Sequence, residues 1–209
     1  LKKLNSSIKA FTIERIVSDY NSTNLSGEIS SASAIRSALI KKDITALNAV
    51  PENVLDLINN TKIPSLNDYT SILSYILRTK SPKEISEYAD ITEGLENRIL
   101  NTEFTATEEL ISKLKTKRYT YSKLQKAILH IILGITKEEQ LNKPKYIRVL
   151  GFRKDKKHLL KELTEKAELP VIFNVKENEN LLKREIISTD IYNIPLNKKR
   201  GAEYTTPIA

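Results

Sequence analysis

From Ser30 to about Thr136 the apolar residues recur at helical spacing almost without interruption, and after "KEEQLNKPK" the period changes to that of strands. A chain built this way folds as a run of packed helices followed by a small α/β piece. Start signals punctuate the run. "ISSASAIRSALIKKD" begins a helix with Ser30 or Ser31 suited to N-cap it, because a short hydroxyl can accept from a free N–H of the first turn. "SLNDYTSILSYILRT" starts at Ser65 and carries Leu66, Tyr69, Leu73 and Ile76 on one face. "SPKEISEYA" has Ser81 as N-cap, Pro82 at the first helical position and Glu84 completing a capping box. "TEGLENRILN" and "TATEELISKLKTKR" follow, the second capped by Thr105 or Thr107. Last in the series, Leu124, Ile128, Ile131, Ile132 and Ile135 form the stripe of a core-facing helix.

Strands are expected only at the two ends. "AFTIERIV" (Ala10 to Val17) alternates and is β-branched enough for one, and "SDYNSTNLSGE" after it has loop composition. "YIRVLGF" (Tyr146 to Phe152) reads as a strand, "DKKHLLKELTEKA" as a helix and "LPVIFNV" (Leu169 to Val175) as a second strand. That order within about 30 residues predicts a βαβ unit with a parallel pair. "ENLLKREIISTDIYNI" closes the fold as a helix, and the tail "PLNKKRGAEYTTPIA" is polar and extended. The fold class is therefore α/β overall and mostly α.

Composition removes several chemistries. There is no cysteine, so disulfides, thiol catalysis and cysteine-held zinc are excluded. His130 and His158 are the only histidines, too few for a histidine metal cluster. No apolar run approaches the roughly 20 residues of a membrane span, there is no secretory signal, and a cytoplasmic protein without a membrane partner is expected. The 34 bases against 26 acids leave a net charge of +8, which favours anionic partners. Leu1 opens the 209 residues and no methionine follows, so a fragment is expected, or a chain recorded without its methionines.

Two stretches can carry chemistry. In "ISSASAIR" (Ile29 to Arg36), hydroxyls and free N–H groups at a helix start form a cradle for phosphate, and an arginine one turn on adds a bidentate contact. The same residues are equally an ordinary serine cap beside a surface arginine. In "KLKTKRYTYSKLQKAILHIILG", Lys113, Lys115, Lys117, Arg118, Lys123 and Lys126 stand in a window, Leu110 to Thr136, that has no Asp or Glu. Such a cluster neutralises phosphates without reading sequence, and Tyr119 and Tyr121 could stack on unpaired bases. A solvated lysine face with packing tyrosines accounts for it as well.

A strand, a polar loop and then I-S-S-x-[ST]-x-I-R resembles the ISSTxxR element of the nucleotidylyltransferase superfamily, which holds ATP phosphates. "ERIVSDYNS", "ISSASAIRSAL", "EGLENRI", "KTKRYT", "YIRVLGF", "STDIYNI" and "YTTP" fall in the order found in the bacterial tRNA(Met) cytidine acetate ligase family, over essentially the whole chain. The resemblance implies a layout: the end of a Rossmann-like nucleotidylyltransferase domain at 1–42, a helical tRNA-binding region at 43–140 and a small α/β C-terminal domain at 145–209. It implies ATP as substrate, with Mg²⁺ accompanying it, acetate as the acyl source and elongator tRNA(Met) as partner. Arg15, Ser30, Ser31, Ser33 and Arg36 would face ATP, Ser33 standing where the family more often has threonine. Lys113, Lys115, Lys117, Arg118, Tyr119, Tyr121, Lys123 and Lys126 would face tRNA. The family's EYNPFHNGH-like segment has no counterpart here, so no catalytic residue is assigned and the fragment alone is expected to be inactive.

Glu93 and Glu96 of "EGLENRI" lack a matching nucleophile or metal and read as structural, as do Asp190 and Tyr192 of "STDIYNI". Two rivals stand beside the ligase reading. One is a non-catalytic helical RNA-binding or adaptor domain; the other is an adenylyltransferase acting on another small acid.

Overall fold

The computed structural model describes residues 7–14, 25, 30–60, 62–206 and 208. The chain divides into two compact units, Leu1–Ile63 and Pro64–Ala209. The contacts group the helical run from 64 onward with the C-terminal α/β piece.

In the first unit, α1 (Ala32–Ile40) is followed by 3-10 turns at Ile44–Ala49 and Glu52–Val54 and by α2 (Leu55–Asn60). Ala34, Ala38 and Ala46 are its buried apolar residues among those described, and their small side chains let α1 lie close against the 44–49 turn. Asp43 caps that turn, its carboxylate accepting from Thr45 N (3.0 Å) and Thr45 Oγ1 (2.6 Å). The strand expected over 10–17 is not formed across 10–14, where Phe11 and Ile13 are 86% and 96% exposed. A strand needs a ladder partner, and the unit has no other strand among the described residues; residues 15–17 lie outside them.

The second unit is built on the expected helices. A 3-10 turn at Leu66–Tyr69 runs into α3 (Thr70–Thr79), then α4 (Pro82–Ser86), α5 (Leu95–Leu100), α6 (Thr107–Leu114), α7 (Tyr121–Leu133) and α8 (Lys137–Leu141). The Ser81 box forms as the sequence requires, with Ser81 Oγ accepting from Glu84 N (3.3 Å) and Glu84 Oε2 accepting from Ser81 N (2.9 Å). Asp68 closes the same arrangement on Ser65 N at 2.7 Å. On α6 the expectation fails. Its N-cap is Ala106, and its first N–H groups are met from elsewhere in the unit, Thr107 N by Thr70 Oγ1 (3.1 Å) and Glu108 N by Asn67 Oδ1 (2.9 Å). Free N–H groups at a helix start need some acceptor, and here tertiary packing provides it.

The core of this unit joins Leu73, Ile85, Ile91, Leu95, Ile99, Leu110, Ile111 and Leu114 to the α7 stripe of Leu124, Ala127, Ile128, Ile131 and Ile132. Each fully buried Leu or Ile contributes about 1.5–3 kcal/mol, so α7 is the main apolar anchor. The helix ends at Gly134 (φ 68), a left-handed turn that suits glycine, so Ile135 lies past the cap and is half-buried.

The βαβ unit is present but minimal. β1 (Ile147–Arg148) and β2 (Val171–Ile172) pair in parallel, Ile147 opposite Val171, with α9 (Lys157–Lys166) as the crossover. Only two residues of each expected seven are in ladder register. α10 (Glu179–Asn193) packs Leu182 and Ile186 with Ile172 in a second, smaller core. It is tied to the helical run through Arg184, whose guanidinium donates to Leu133 O (2.6 Å) at the C-terminus of α7 and pairs with Glu139 at the start of α8. Tyr69 Oη also donates to Tyr192 O at 3.1 Å.

Candidate functional site

At the start of α1, Ser31 is the N-cap, its Oγ accepting from Ala34 N at 3.0 Å, and its side chain is buried. No acidic residue occupies the first turn. Ala34 and Ala38 turn inward, which leaves Ser33 and Arg36 exposed, three positions apart and so on neighbouring parts of one helix surface. Ser30 is half-buried beside them. This end of α1 fits an anion: a positive helix terminus, a free hydroxyl at Ser33 and an arginine with no acidic partner among the described residues. Arg15 lies outside the described residues.

The basic stretch is not one helix. α6 stops at Leu114, a turn covers 115–120 with Thr116 N bonded to Tyr119 O (3.1 Å), and Thr120 caps α7 through Lys123 N. Three of its six bases have acids from outside the window. Lys113 pairs with Glu109 at 2.6 Å and donates to Glu103 O at 2.9 Å. Arg118 pairs with Glu93, and Lys126 lies 3.1 Å from Asp90. Burial raises the Asp90 carboxyl, but hydrogen bonds from Lys126 and Gln140 outweigh it and hold the group below the usual range. Lys115, Lys117 and Lys123 face solvent with no acidic partner among the described residues.

Tyr119 corrects the stacking expectation. Only 4% exposed, it belongs to the core and donates from Oη to Thr92 O at 2.8 Å. Arg98 and Lys123 lie 5.6 and 5.1 Å from its ring centroid, so its faces serve intramolecular cation–π contacts. Tyr121 is 36% exposed and leaves part of its ring to solvent.

"EGLENRI" forms the turn behind this surface. Glu93 (φ 59) and Gly94 (φ 78) are both left-handed, a pairing that glycine permits, and the turn aims Glu93 at Arg118. Arg98 reaches across to donate to Leu114 O (2.9 Å), closing the C-terminus of α6. The motif thus positions the bases. An open cleft of about 510 Å³ adjoins it, and its charged lining of Arg78, Glu103, Glu109 and Lys113 is of mixed sign.

In the C-terminal piece a cluster joins "YIRVLGF" to "STDIYNI" and to the tail. Arg148 forks between Glu185 and Glu203, Thr189 donates to Glu203, and Tyr146 Oη donates to Glu185 at 2.5 Å. Burial and then the Glu185 hydrogen bond push the Tyr146 phenol up to about 12. Asp190 accepts from Gly201 N at 2.7 Å, an architectural role as expected. The cluster is not legible in the sequence, because its bonded partners lie up to 55 residues apart.

Residues 1–206 match the sequence profile of the family described as HIGH Nucleotidyl Transferase. The chain belongs to this family. Proteins called tRNA(Met) cytidine acetate ligase are similar along its whole length: that of Thermoanaerobacter sp. (strain X514) is 35% identical, and that of Acetivibrio thermocellus 32%, each covering 100% of this chain. The chain spans 56% and 57% of those two relatives, a little over half their length. Thermotoga maritima TmcAL has the same fold, with a TM-score of 0.81 for its apo form I at 23% identity, over 99% of this chain and 55% of that one. The TmcAL structure bound with alpha-thio ATP gives a TM-score of 0.77 at 22% identity, over 99% of this chain and 54% of that one. Among the described residues of this HIGH nucleotidyl transferase chain no three His, Asp or Glu side chains gather as metal ligands, and no helix is long and apolar enough to cross a membrane.

Proposed function

We propose that the chain is the tRNA-handling part of an ATP-dependent tRNA(Met) cytidine acetate ligase, working in the cytoplasm. The observation that carries this reading is the whole-chain similarity to proteins of that name, at 35% identity. In the proposed reaction an acetate oxygen attacks the α-phosphate of ATP, pyrophosphate leaves, and acetyl-adenylate forms. The N4 amine of the wobble cytidine then attacks the acetyl carbonyl, AMP leaves and N4-acetylcytidine remains. Arg15, Ser30, Ser31, Ser33 and Arg36 are the residues proposed to face ATP, with any Mg²⁺ held chiefly by the phosphates and water. Lys115, Lys117 and Lys123, with Tyr121 beside them, are proposed to face tRNA phosphates; Lys113, Arg118 and Lys126 support that surface while paired to acids.

Full-length protein incubated with ATP, acetate and tRNA(Met) is expected to yield N4-acetylcytidine in nucleoside mass spectrometry, and residues 1–209 alone are expected to yield none. Absence of the modified nucleoside with the full-length protein overturns the reading.

A further inference from the structure

We infer that the carboxyl edge of the β1–β2 pair is a second RNA contact, one that receives unpaired nucleotides. This inference rests on the tRNA-handling reading above. Because the two strands are parallel, the loops that follow them leave from one edge. The first connection carries Phe152 and Arg153, then a 3-10 turn with Lys154 and Lys156 that runs into Lys157 at the start of α9; the second begins with Phe173. Both phenylalanines are 37% exposed, and Leu150, two residues before Phe152, is 69% exposed. An aromatic ring left to water on a soluble surface favours a flat apolar partner, and a nucleobase face is one.

Charge distinguishes this edge from a plain apolar patch. From Asn142 to Lys161 the one acidic residue is Asp155. Arg153 takes it up in a two-point contact at 3.1 Å, with Lys156 at 3.6 Å. Lys154 and Lys157 are exposed and have no acidic partner among the described residues. Across the edge, Lys176 stands against Glu177 and Glu179, so the basic excess lies on the Phe152 side. The second loop is held in shape by Asn174, which bonds Glu177 at 2.8 Å and Lys176 N at 3.0 Å. Free ammonium groups next to exposed rings match the two faces of a single-stranded loop, its phosphates and its bases. A duplex stem would use the lysines and leave the rings idle.

The test compares the full-length protein with two double variants, Phe152→Ala/Phe173→Ala and Lys154→Ala/Lys157→Ala, and with Lys115→Ala/Lys117→Ala on the other surface. Binding of whole tRNA and of an isolated RNA duplex is measured across a salt series, with circular dichroism confirming the fold. The aromatic variant is expected to lose about tenfold in tRNA affinity with an unchanged salt slope and no loss toward duplex. The Lys154/Lys157 variant is expected to lower the salt slope by about 1.5. If only Lys115→Ala/Lys117→Ala weakens tRNA binding, this edge is no RNA contact and the tRNA-handling reading stands. If the unaltered protein does not bind tRNA, that reading falls and the inference with it. If the aromatic variant instead changes oligomeric state in sedimentation with tRNA affinity unchanged, the edge is a protein interface and the inference is overturned.

Discussion

Tyr119 shows how one residue's surroundings decide between two roles its type allows. A tyrosine in a lysine-rich stretch is a reasonable base stacker until its ring is buried and its hydroxyl is committed. Here the hydroxyl holds the Thr92 carbonyl in the turn that leads to Glu93, and Glu93 in turn holds Arg118. Its contribution is therefore to the shape of the basic surface. Tyr119→Phe should leave the Thr92 carbonyl without its donor and lower stability by about 1 kcal/mol. Tyr119→Ala should open a cavity and cost about 3–5 kcal/mol. Urea denaturation of the two variants measures both. If Tyr119→Ala were nearly neutral in stability while abolishing tRNA binding, the buried assignment would be wrong.

At the scale of elements, short helices here depend on carboxylates that answer their own N-termini. Glu84 is held at about 2 by the Lys80 ammonium and then by Ser81 N and Ser81 Oγ; Glu109 is held at about 2 by Lys113 and then by Thr105. A carboxyl lowered in the fold stabilises it above the ordinary value of 4.5, and that stabilisation is lost as pH falls from there toward about 2. Glu84→Gln/Glu109→Gln keeps a side-chain acceptor at both positions but removes the titration. The gap in urea midpoint between the parent and this variant should be open at neutral pH and close as pH approaches about 2. A gap independent of pH would show that the charges do not matter. The Ser81 and Ser31 caps could be read from sequence because all their partners lie within three residues. The cap of α6 could not, since Thr70 and Asn67 are 37 and 41 residues away. The α7 stripe was legible for a related reason: periodicity is local, whereas the acids Glu93 and Asp90 that neutralise Arg118 and Lys126 come from another part of the helical run. Glu109 escaped notice because the acid-free window begins one residue after it. The second basic window, at 142–161, needed only the same count applied further along the chain.

For the whole molecule the net charge of +8 is best understood by where its unpaired part sits. Among the described residues, exposed bases without acidic partners include Arg36 in the first unit and, in the second, Lys115, Lys117 and Lys123 and the pair Lys154 and Lys157; the groups in the second unit are the ones proposed to follow a phosphate backbone. This predicts a division of labour in the full-length protein. Arg36→Ala would remove the charge-assisted contact to ATP proposed for it and should raise the KM for ATP roughly tenfold or more, with tRNA affinity unchanged. Lys115→Ala/Lys117→Ala should leave acetate-dependent ATP–pyrophosphate exchange intact. It should also reduce the slope of log affinity for tRNA against log salt by about 1.5, as expected for two lost phosphate contacts. Both variants change exposed side chains, so melting temperatures should match the parent. If Arg36→Ala weakened tRNA binding as much as ATP use, or if the lysine variant slowed the exchange reaction, ATP and tRNA would share one surface, and the assignment of separate sites to the two units would fail.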